Sequence, residues 1–494
     1  MAARLDYDAV VVGAGFGGIY MCKKLVAHGL SVKVVEAAPD DLCEYPWPRE
    51  YLNQPEILAY LQHVVERHKL RQYMQFHTEV QGAVYSEEQN SWTVALSSGE
   101  ALSARYLVTA VGLLSRINYP DIPGLDSFRG EMYHSARWPS SYDFTGKRVG
   151  IIGSGSTGVQ LITALADQPV KQLLSFQRHP QYVVPAGDAE AGVRASTFGF
   201  GFEESTKPTF SVSEEERERI FEEAWAKGGG FYFMFGTFCD IASNEEANKV
   251  AADFIRRKIR QKVVDPVKAE KLMPRGWHAR RPLCGTGYYE KFNHGHVDVI
   301  DINTNPITRI TDNGIETANG IGYELDVLVF ATGFDAVDGN YKRMSIQGAS
   351  KQTLKDRWSE EPNSFLGISI PGFPNLFSIL GPNSPFTNLP PLIEVQVEFI
   401  ADMIAHARAK AATTTGESTQ GPRVEAYPAA MQDWIRTCDE LSAGSLFRKT
   451  DSWIFGANVA GKTRSVLFYF GGMAMYRKAL QAIVDQEYAG FRLV

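Results

Sequence analysis

Two copies of one pattern constrain this 494-residue chain more than any other feature: a short apolar run, a glycine-rich turn, a helical stretch and a second apolar run. In the first copy, Asp8 to Val12 stops at Gly13-Ala14-Gly15-Phe16-Gly17-Gly18. Helical spacing of Ile19, Cys22 and Leu25 follows, and Ser31 to Val35 ends in Glu36. The pattern restarts at Arg148 to Ile152, passes Gly153-Ser154-Gly155-Ser156-Thr157-Gly158 and a helix through Leu161 and Leu165, and closes with Gln172 to Phe176. Each copy has the length and change of period of a βαβ unit. The sequence between them does not repeat, so two nucleotide-binding domains are predicted rather than a solenoid. Length agrees: 494 residues, 44% of them apolar, are too many for one ordinary domain and too apolar for disorder.

The glycine spacing carries chemistry. In G-x-G-x-x-G, Gly13 permits the tight turn, Gly15 lets the backbone approach a pyrophosphate, and Gly18 lets the helix pack against the strand. The helix N-terminus then presents N–H groups and a partial positive charge. Glu36, at the end of the second strand, can accept the hydroxyls of an unphosphorylated adenosine ribose. The second motif, Gly153, Gly155 and Gly158 with Thr157 beside it, differs where discrimination occurs, because its second strand ends Phe176-Gln177-Arg178-His179. A carboxylate there would repel a 2′-phosphate, whereas Arg178 can grip one through its guanidinium fork. The first site therefore suits FAD or NAD and the second NADP(H). A third element, Glu324 to Ala331 followed by Thr332-Gly333, is an apolar strand ending in a small-residue turn that can run close to bound cofactor; Thr109-Ala110-Val111-Gly112 is a weaker copy.

The remainder fills in an α/β fold of two Rossmann-like domains. Strand-like stretches lie at Thr93 to Leu96 and Tyr106 to Val111, and a Pro/Gly linker at Tyr119 to Gly124. From Glu214 to Val263 the chain is charged and helical, with Ser213-Glu214-Glu215-Glu216 as a capping box and Gly228-Gly229-Gly230 as a stop. The expected division is 1–143 and 336–494 for a flavin domain, 144–190 and 275–335 for a nicotinamide domain, and 191–274 for a helical insertion in the second. A formal charge of −7 argues against a nucleic-acid surface. No apolar stretch reaches the roughly 18–20 residues of a membrane span, and the N-terminal residues lack a signal-peptide core. The five cysteines (Cys22, Cys43, Cys239, Cys284 and Cys438) form no C-x-x-C, so neither a disulfide framework nor a dithiol centre is expected. No metal site is predicted, and a cytoplasmic monomer is expected.

Phe128-Arg129-Gly130-Glu131-Met132-Tyr133-His134-Ser135-Ala136-Arg137-Trp138-Pro139 matches F-x-G-x-x-x-H-x-x-x-W-P, the fingerprint of type I Baeyer–Villiger monooxygenases. The resemblance runs along nearly the whole chain and is nearest the cyclohexanone monooxygenases, through Gly201 to Thr206, Phe233 to Phe238, Gly381 to Pro391 and Asp451 to Asn458. It implies that FAD and NADPH occupy separate domains, that O2 adds at flavin C4a, and that the peroxyflavin converts a ketone, cyclic or otherwise apolar, to an ester or lactone. By the same resemblance Arg281, before Pro282-Leu283, is the catalytic cation and Arg280 contacts the 2′-phosphate. Trp453 and Asn458 belong to a mobile loop over the nicotinamide half of NADP. Phe386, Thr387 and Leu389 line the ketone pocket, while Phe128, Gly130, His134 and Trp138 link the domains.

The chain departs from the family at two places. After Glu36 the family carries a second flavin motif, Gly-Gly-Thr-Trp-Tyr, and an aspartate that pairs with the catalytic arginine. Here Pro39-Asp40 runs straight into Asp41-Leu42-Cys43, and both are absent. A second shortening falls near Ala189-Glu190-Ala191-Gly192. The flanking sequence resumes in register on each side, which reads as residues omitted at these points, and a Cα spacing of ~3.8 Å across Asp40–Asp41 would refute that. Two alternative readings follow: a flavin-dependent N- or S-oxygenase, or a nucleotide-binding protein inactive through loss of its flavin loop.

Overall fold

A computed structural model describes residues 5–37, 54–139, 141–187, 203–414, 421–459 and 461–494. Both shortened segments, at Asp40–Asp41 and around Glu190, lie outside these residues, as do Cys43, Gly201 and Phe202.

Each glycine unit folds into its own sheet. Tyr7–Val12 pairs in parallel with Val32–Val35 on one side and Ala101–Thr109 on the other, at the centre of an eight-stranded sheet. Ala9 and Val11 point into one core and Val10 and Val12 into another, so both faces are buried. A strand in that position is apolar at every residue rather than at alternate ones, which is why the run reads Ala-Val-Val-Val. The helix Phe16–Ala27 buries Ile19, Cys22 and Leu25 as their spacing predicts. The C-terminal part returns here: Leu376–Ser378 takes over the side of Ala101–Thr109 that Ser91–Leu96 leaves free, and pairs with it in parallel.

The second sheet is parallel throughout, in the order Val297–Asp301, Gln172–Gln177, Arg148–Ile152, Val327–Phe330, Glu131–His134. Its inner face (Val149, Ile151, Leu173) shares one hydrophobic core with the inner face of the first sheet, while Ile152, Leu174 and Phe176 pack outward into a separate core. The edge strand differs from expectation. Phe128 to Pro139, read as the tail of the first domain, supplies Glu131–His134 to the second sheet. Its burial runs exposed, exposed, intermediate, buried, so no apolar alternation announces a strand.

The insertion is helical as predicted. Ser213 Oγ caps Glu214–Lys227 by accepting the Glu216 N–H at 3.3 Å, and the helix stops at Gly228, where φ is +79°. Phe221, Phe233, Phe238 and Phe254, each at most 1% exposed, bind it to Glu245–Lys262 and to the shared core. Burying each ring contributes roughly 1.5–3 kcal/mol.

Candidate functional site

The two glycine turns are near duplicates, and their geometry separates glycines the chain needs from glycines it does not. Gly13 has φ +102°, and a Cβ there would sit 2.6 Å from the Ala110 carbonyl oxygen; at Gly18 it would sit 1.8 Å from the Gly13 carbonyl oxygen. In the second turn Gly153 has φ +114°, with Ala331 O at 2.3 Å from such a Cβ, and Gly158 would meet Gly153 O at 2.1 Å. These four are fixed by packing. Gly15 and Gly155 are not. Both have φ values open to any residue (−77° and −72°), and a Cβ at either meets nothing within 4 Å. Each stands at a helix N-terminus that has no side-chain cap. Open space before an uncapped N-terminus, kept clear by a glycine that the fold does not require, fits a pyrophosphate. Thr157 lies in the first turn of the second such helix. The two strand ends lie beside the glycine turns, Ala110 against Gly13 and Ala331 against Gly153.

The ribose ends differ in charge. Glu36 follows Val32–Val35, and its Oε2 accepts the Ala14 N–H at 2.6 Å, which places the carboxylate at the mouth of the first turn. Beyond Gln172–Gln177, Arg178, Arg280 and Arg281 line one 590 Å³ cavity together with His179, Tyr182, Lys271, Asp301 and Thr304. Among the described residues none of the three arginines has a carboxylate partner within salt-bridge distance. Burial lowers the Arg280 pKa, and Arg178 lowers it further against the opposing pull of Asp451. A cluster of cations without carboxylate partners, Arg280 half-buried and Arg178 and Arg281 exposed, fits a dianionic phosphate.

Arg281 is solvent-exposed and lines this cavity. Surrounding protein nonetheless lowers its pKa by desolvation. Its guanidinium lies over Phe231 at 5.6 Å from the ring centroid, and Nη1 donates to the Pro282 carbonyl at 3.4 Å. Arg281 thus opens to solvent in the cavity it shares with Arg178 and Arg280, and no residue of either glycine turn lines that cavity.

The fingerprint segment acquires a physical reading. A Cβ on Gly130 would strike the Phe128 ring at 2.6 Å, so the F-x-G pair is a phenylalanine folded over its own glycine. His134 is 1% exposed, with its ring edge-on to Tyr119 and Phe334. Nδ1 accepts the Ala136 N–H at 3.1 Å, and the buried ring interacts with the Gly333 backbone. Burial lowers its pKa. Trp138, 40% exposed, stacks on Phe144 at 5.8 Å. The motif therefore touches the second cradle through Phe334, next to Thr332 and Gly333; Thr332 Oγ1 donates to the Asn118 carbonyl at 2.6 Å.

Phe386 sits among Phe447, Phe468 and Phe470, with ring centroids 5.6–5.9 Å away. Trp453 packs on Phe468 and Phe455 stacks on Phe470, both at 5.7 Å, so the structure brings the Trp453 segment against the Phe386 segment. Thr387 is half-buried, and Leu389 opens the helix Leu389–Thr414 at 38% exposure. Asn458 Nδ2 donates to the Phe334 carbonyl at 2.9 Å. Sequence reasoning missed Phe447, Phe468 and Phe470, although the run Leu467-Phe468-Tyr469-Phe470 was a signal. It also missed a buried ion cluster at Asp335, Asp338 and Lys462.

Two open cradles on two sheets, one closed by a carboxylate and the other by arginines, make this a flavoprotein of the class with two dinucleotide-binding domains. Comparison with known proteins narrows the class. Residues 7–196, spanning both glycine turns, match the family model described as pyridine nucleotide-disulphide oxidoreductase. A Baeyer-Villiger monooxygenase of Pseudooceanicola batsensis is 46% identical over 531 aligned residues, covering 98% of this chain and 95% of that one. A phenazine N-monooxygenase of Lysobacter antibioticus is 44% identical, with 99% and 97% coverage. The crystal structure of cyclohexanone monooxygenase from Rhodococcus sp. Phi1 bound to NADP+ superposes with a TM-score of 0.93, at 47% identity and 99% coverage of both chains. The chain belongs to the Baeyer–Villiger monooxygenase family of NADPH-dependent flavoproteins. The first alignment is longer than the chain by 37 positions, 531 against 494, so at least that many face gaps in this chain.

Proposed function

We propose that this chain uses NADPH and O2 to insert one oxygen atom beside the carbonyl of a cyclic, cyclohexanone-like ketone, yielding a lactone, NADP+ and water. The observation that carries the reading is the paired open cradles of unlike charge on the two sheets. FAD is held by Gly13, Gly15, Gly18 and Glu36, and NADPH by Gly153, Gly155, Thr157, Gly158, Arg178 and Arg280, with Thr332, Gly333, Trp453 and Asn458 around the nicotinamide half. Bound FAD supplies the two-electron chemistry that joins hydride from NADPH to O2. The chain's own part is to place charge and exclude water. Arg281, cationic at any working pH, faces the negative charge that develops on oxygen, and a preorganised donor of this kind is worth roughly 100- to 1000-fold in rate. Phe386, Thr387 and Leu389 present the ketone from the aromatic side of the cleft. Phe128, Gly130, His134 and Trp138 couple the two sheets.

The flavin unit is taken as residues 1–143 and 336–494 and the nicotinamide unit as 144–190 and 275–335, with Glu131–His134 lent to the second sheet. Among the described residues no helix is long and apolar enough to cross a membrane. We read the chain as a cytoplasmic monomer, which light scattering after gel filtration tests. The test of function is product analysis after incubation with FAD, NADPH, O2 and cyclohexanone, where the lactone is expected. N-oxidation is the second reading, favoured by the phenazine N-monooxygenase relative; it predicts an N-oxide from phenazine and no lactone.

A further inference from the structure

Lys462 follows the segment that carries Trp453 and Asn458, and its side chain is 7% exposed. Its Nζ donates to Asp335 Oδ1 at 2.7 Å, to the Ala336 carbonyl at 3.1 Å and to Asp338. The two carboxylates are themselves 10% and 2% exposed. Lys342 reaches Asp338 at 2.8 Å and Asp335 at 3.8 Å, and Arg116 reaches Asp335 at 3.8 Å; these side chains are 34% and 41% exposed. Of the three cations, then, the one buried with the carboxylates comes from the Trp453 segment. A Cβ at Gly456 would lie 3.4 Å from the Lys462 Cε, so the lysine stem runs along that segment's own turn, where φ is +75°.

The carboxylates belong to the stretch that joins the two cradles. Asp335 comes two residues after Gly333, and its N–H donates to the Arg116 carbonyl at 2.9 Å. Asn340 Nδ2 donates to the Val111 and Gly112 carbonyls at 2.9 and 3.1 Å, at the strand end beside the first cradle. On the other side, Asn458 Nδ2 bonds the Phe334 carbonyl. Burying an ammonium is costly unless it is closely paired, and an aliphatic residue would fill the same space at lower cost. What a buried ion pair offers over an aliphatic contact is one defined docking position.

We propose that Lys462 is a positioning residue: its buried pairing with Asp335 and Asp338 holds the Trp453 segment in place, with Asn458 against the turn that follows Gly333. This rests on the reading that NADP binds at the second cradle. Without the ammonium, the segment loses its fixed position and the nicotinamide nucleotide loses contacts, while the catalytic cation Arg281 is untouched.

The test compares wild type, Lys462→Met and Lys462→Arg as FAD-loaded proteins, by deuterium exchange and by calorimetric titration with NADP+. In Lys462→Met, amides across 453–466 are expected to exchange at least roughly tenfold faster while those of Arg148–Ile152 keep their rate. NADP+ affinity is expected to fall at least roughly tenfold. The KM for NADPH should rise far more than kcat falls, and Lys462→Arg should restore both affinity and exchange to within about threefold. Should Lys462→Met fold poorly because it strands two carboxylates, Lys462→Met combined with Asp338→Asn removes one of them and carries the same expectations. Exchange unchanged across 453–466 overturns the proposal. Faster exchange with unchanged NADP+ affinity overturns the positioning role and leaves a structural one. A wild type that binds no NADP+ overturns the cofactor reading itself, and the exchange data still report on the ion pair.

Discussion

Alanine at Gly15 and alanine at Gly18 should have opposite consequences, although the two positions are three residues apart in one motif. At Gly15 the backbone is compatible with any residue and the added methyl meets no protein atom, so the folded chain loses about 0.5–1 kcal/mol at an N-cap. With an unfolding entropy of about 2.1 cal/mol/K per residue, a chain of this size moves by only ~1 °C in Tm for that loss. The methyl instead occupies the approach to the helix N-terminus. Crowding a well-fitted contact costs about 1–3 kcal/mol, which is roughly a 5- to 150-fold loss of FAD affinity. At Gly18 the methyl would lie 1.8 Å from the Gly13 carbonyl oxygen, so strand and helix must separate, costing more than ~3 kcal/mol and lowering soluble yield. Gly155→Ala should repeat the first result for NADP+ and leave FAD untouched. The assays are thermal unfolding of the cofactor-free proteins and titration with FAD and with NADP+. A Gly15→Ala protein that binds FAD as tightly as wild type would mean that this glycine serves neither fold nor ligand.

Three further predictions concern single side chains. Arg178→Ala should weaken NADPH by about 1.5–3 kcal/mol, roughly 10- to 150-fold, and NADH hardly at all; equal losses in KM for both nucleotides would remove Arg178 from the 2′-phosphate site. Arg281→Ala should cut lactone formation by at least roughly 100-fold while NADPH still bleaches the flavin anaerobically; a wild-type lactone yield would contradict this. His278 is buried against Tyr182 and Phe233, and burial holds its pKa at about 3 against the ordinary 6.5. Between those values the unfolded chain binds the proton and the folded chain does not. Its contribution is therefore full above pH 6.5 and is lost at about 1.4 kcal/mol per pH unit as pH falls through that window. His278→Gln should remove about 2 kcal/mol of the destabilisation seen between pH 6.5 and 5 in urea titrations; an unchanged pH dependence would show that His278 is not the group responsible.

What could be read along the chain follows from how local each signal is. Gly13 to Gly18 and Gly153 to Gly158 are legible because turn, helix start and strand end lie within six residues, and the sterics that demand Gly13 and Gly18 are contacts inside or beside the motif. The unlike charge of Glu36 and Arg178 is legible for the same reason, each being the residue near the end of its strand. The edge strand Glu131–His134 was missed because one of its four residues is buried. The aromatic cluster around Phe386 draws on Phe447, Phe455, Phe468 and Phe470, which come together only when Ser384–Pro385 pairs with Phe468–Tyr469. The Asp335–Lys462 pair spans 127 positions, and nothing in either neighbourhood marks a buried charge. Arg281 sits between these cases: family likeness singles it out, while its place in the cavity beside Arg178 comes from the fold.

Oxygen insertion into a ketone is the reaction assigned to this chain. The direct measurement is mass spectrometry of the product formed from cyclohexanone by the FAD-supplied protein with NADPH under heavy-isotope O2. One labelled oxygen atom in a lactone, formed one-to-one with NADPH consumed, is the predicted result. NADPH consumption that yields unlabelled product or peroxide alone, or no consumption even with added FAD, would contradict it.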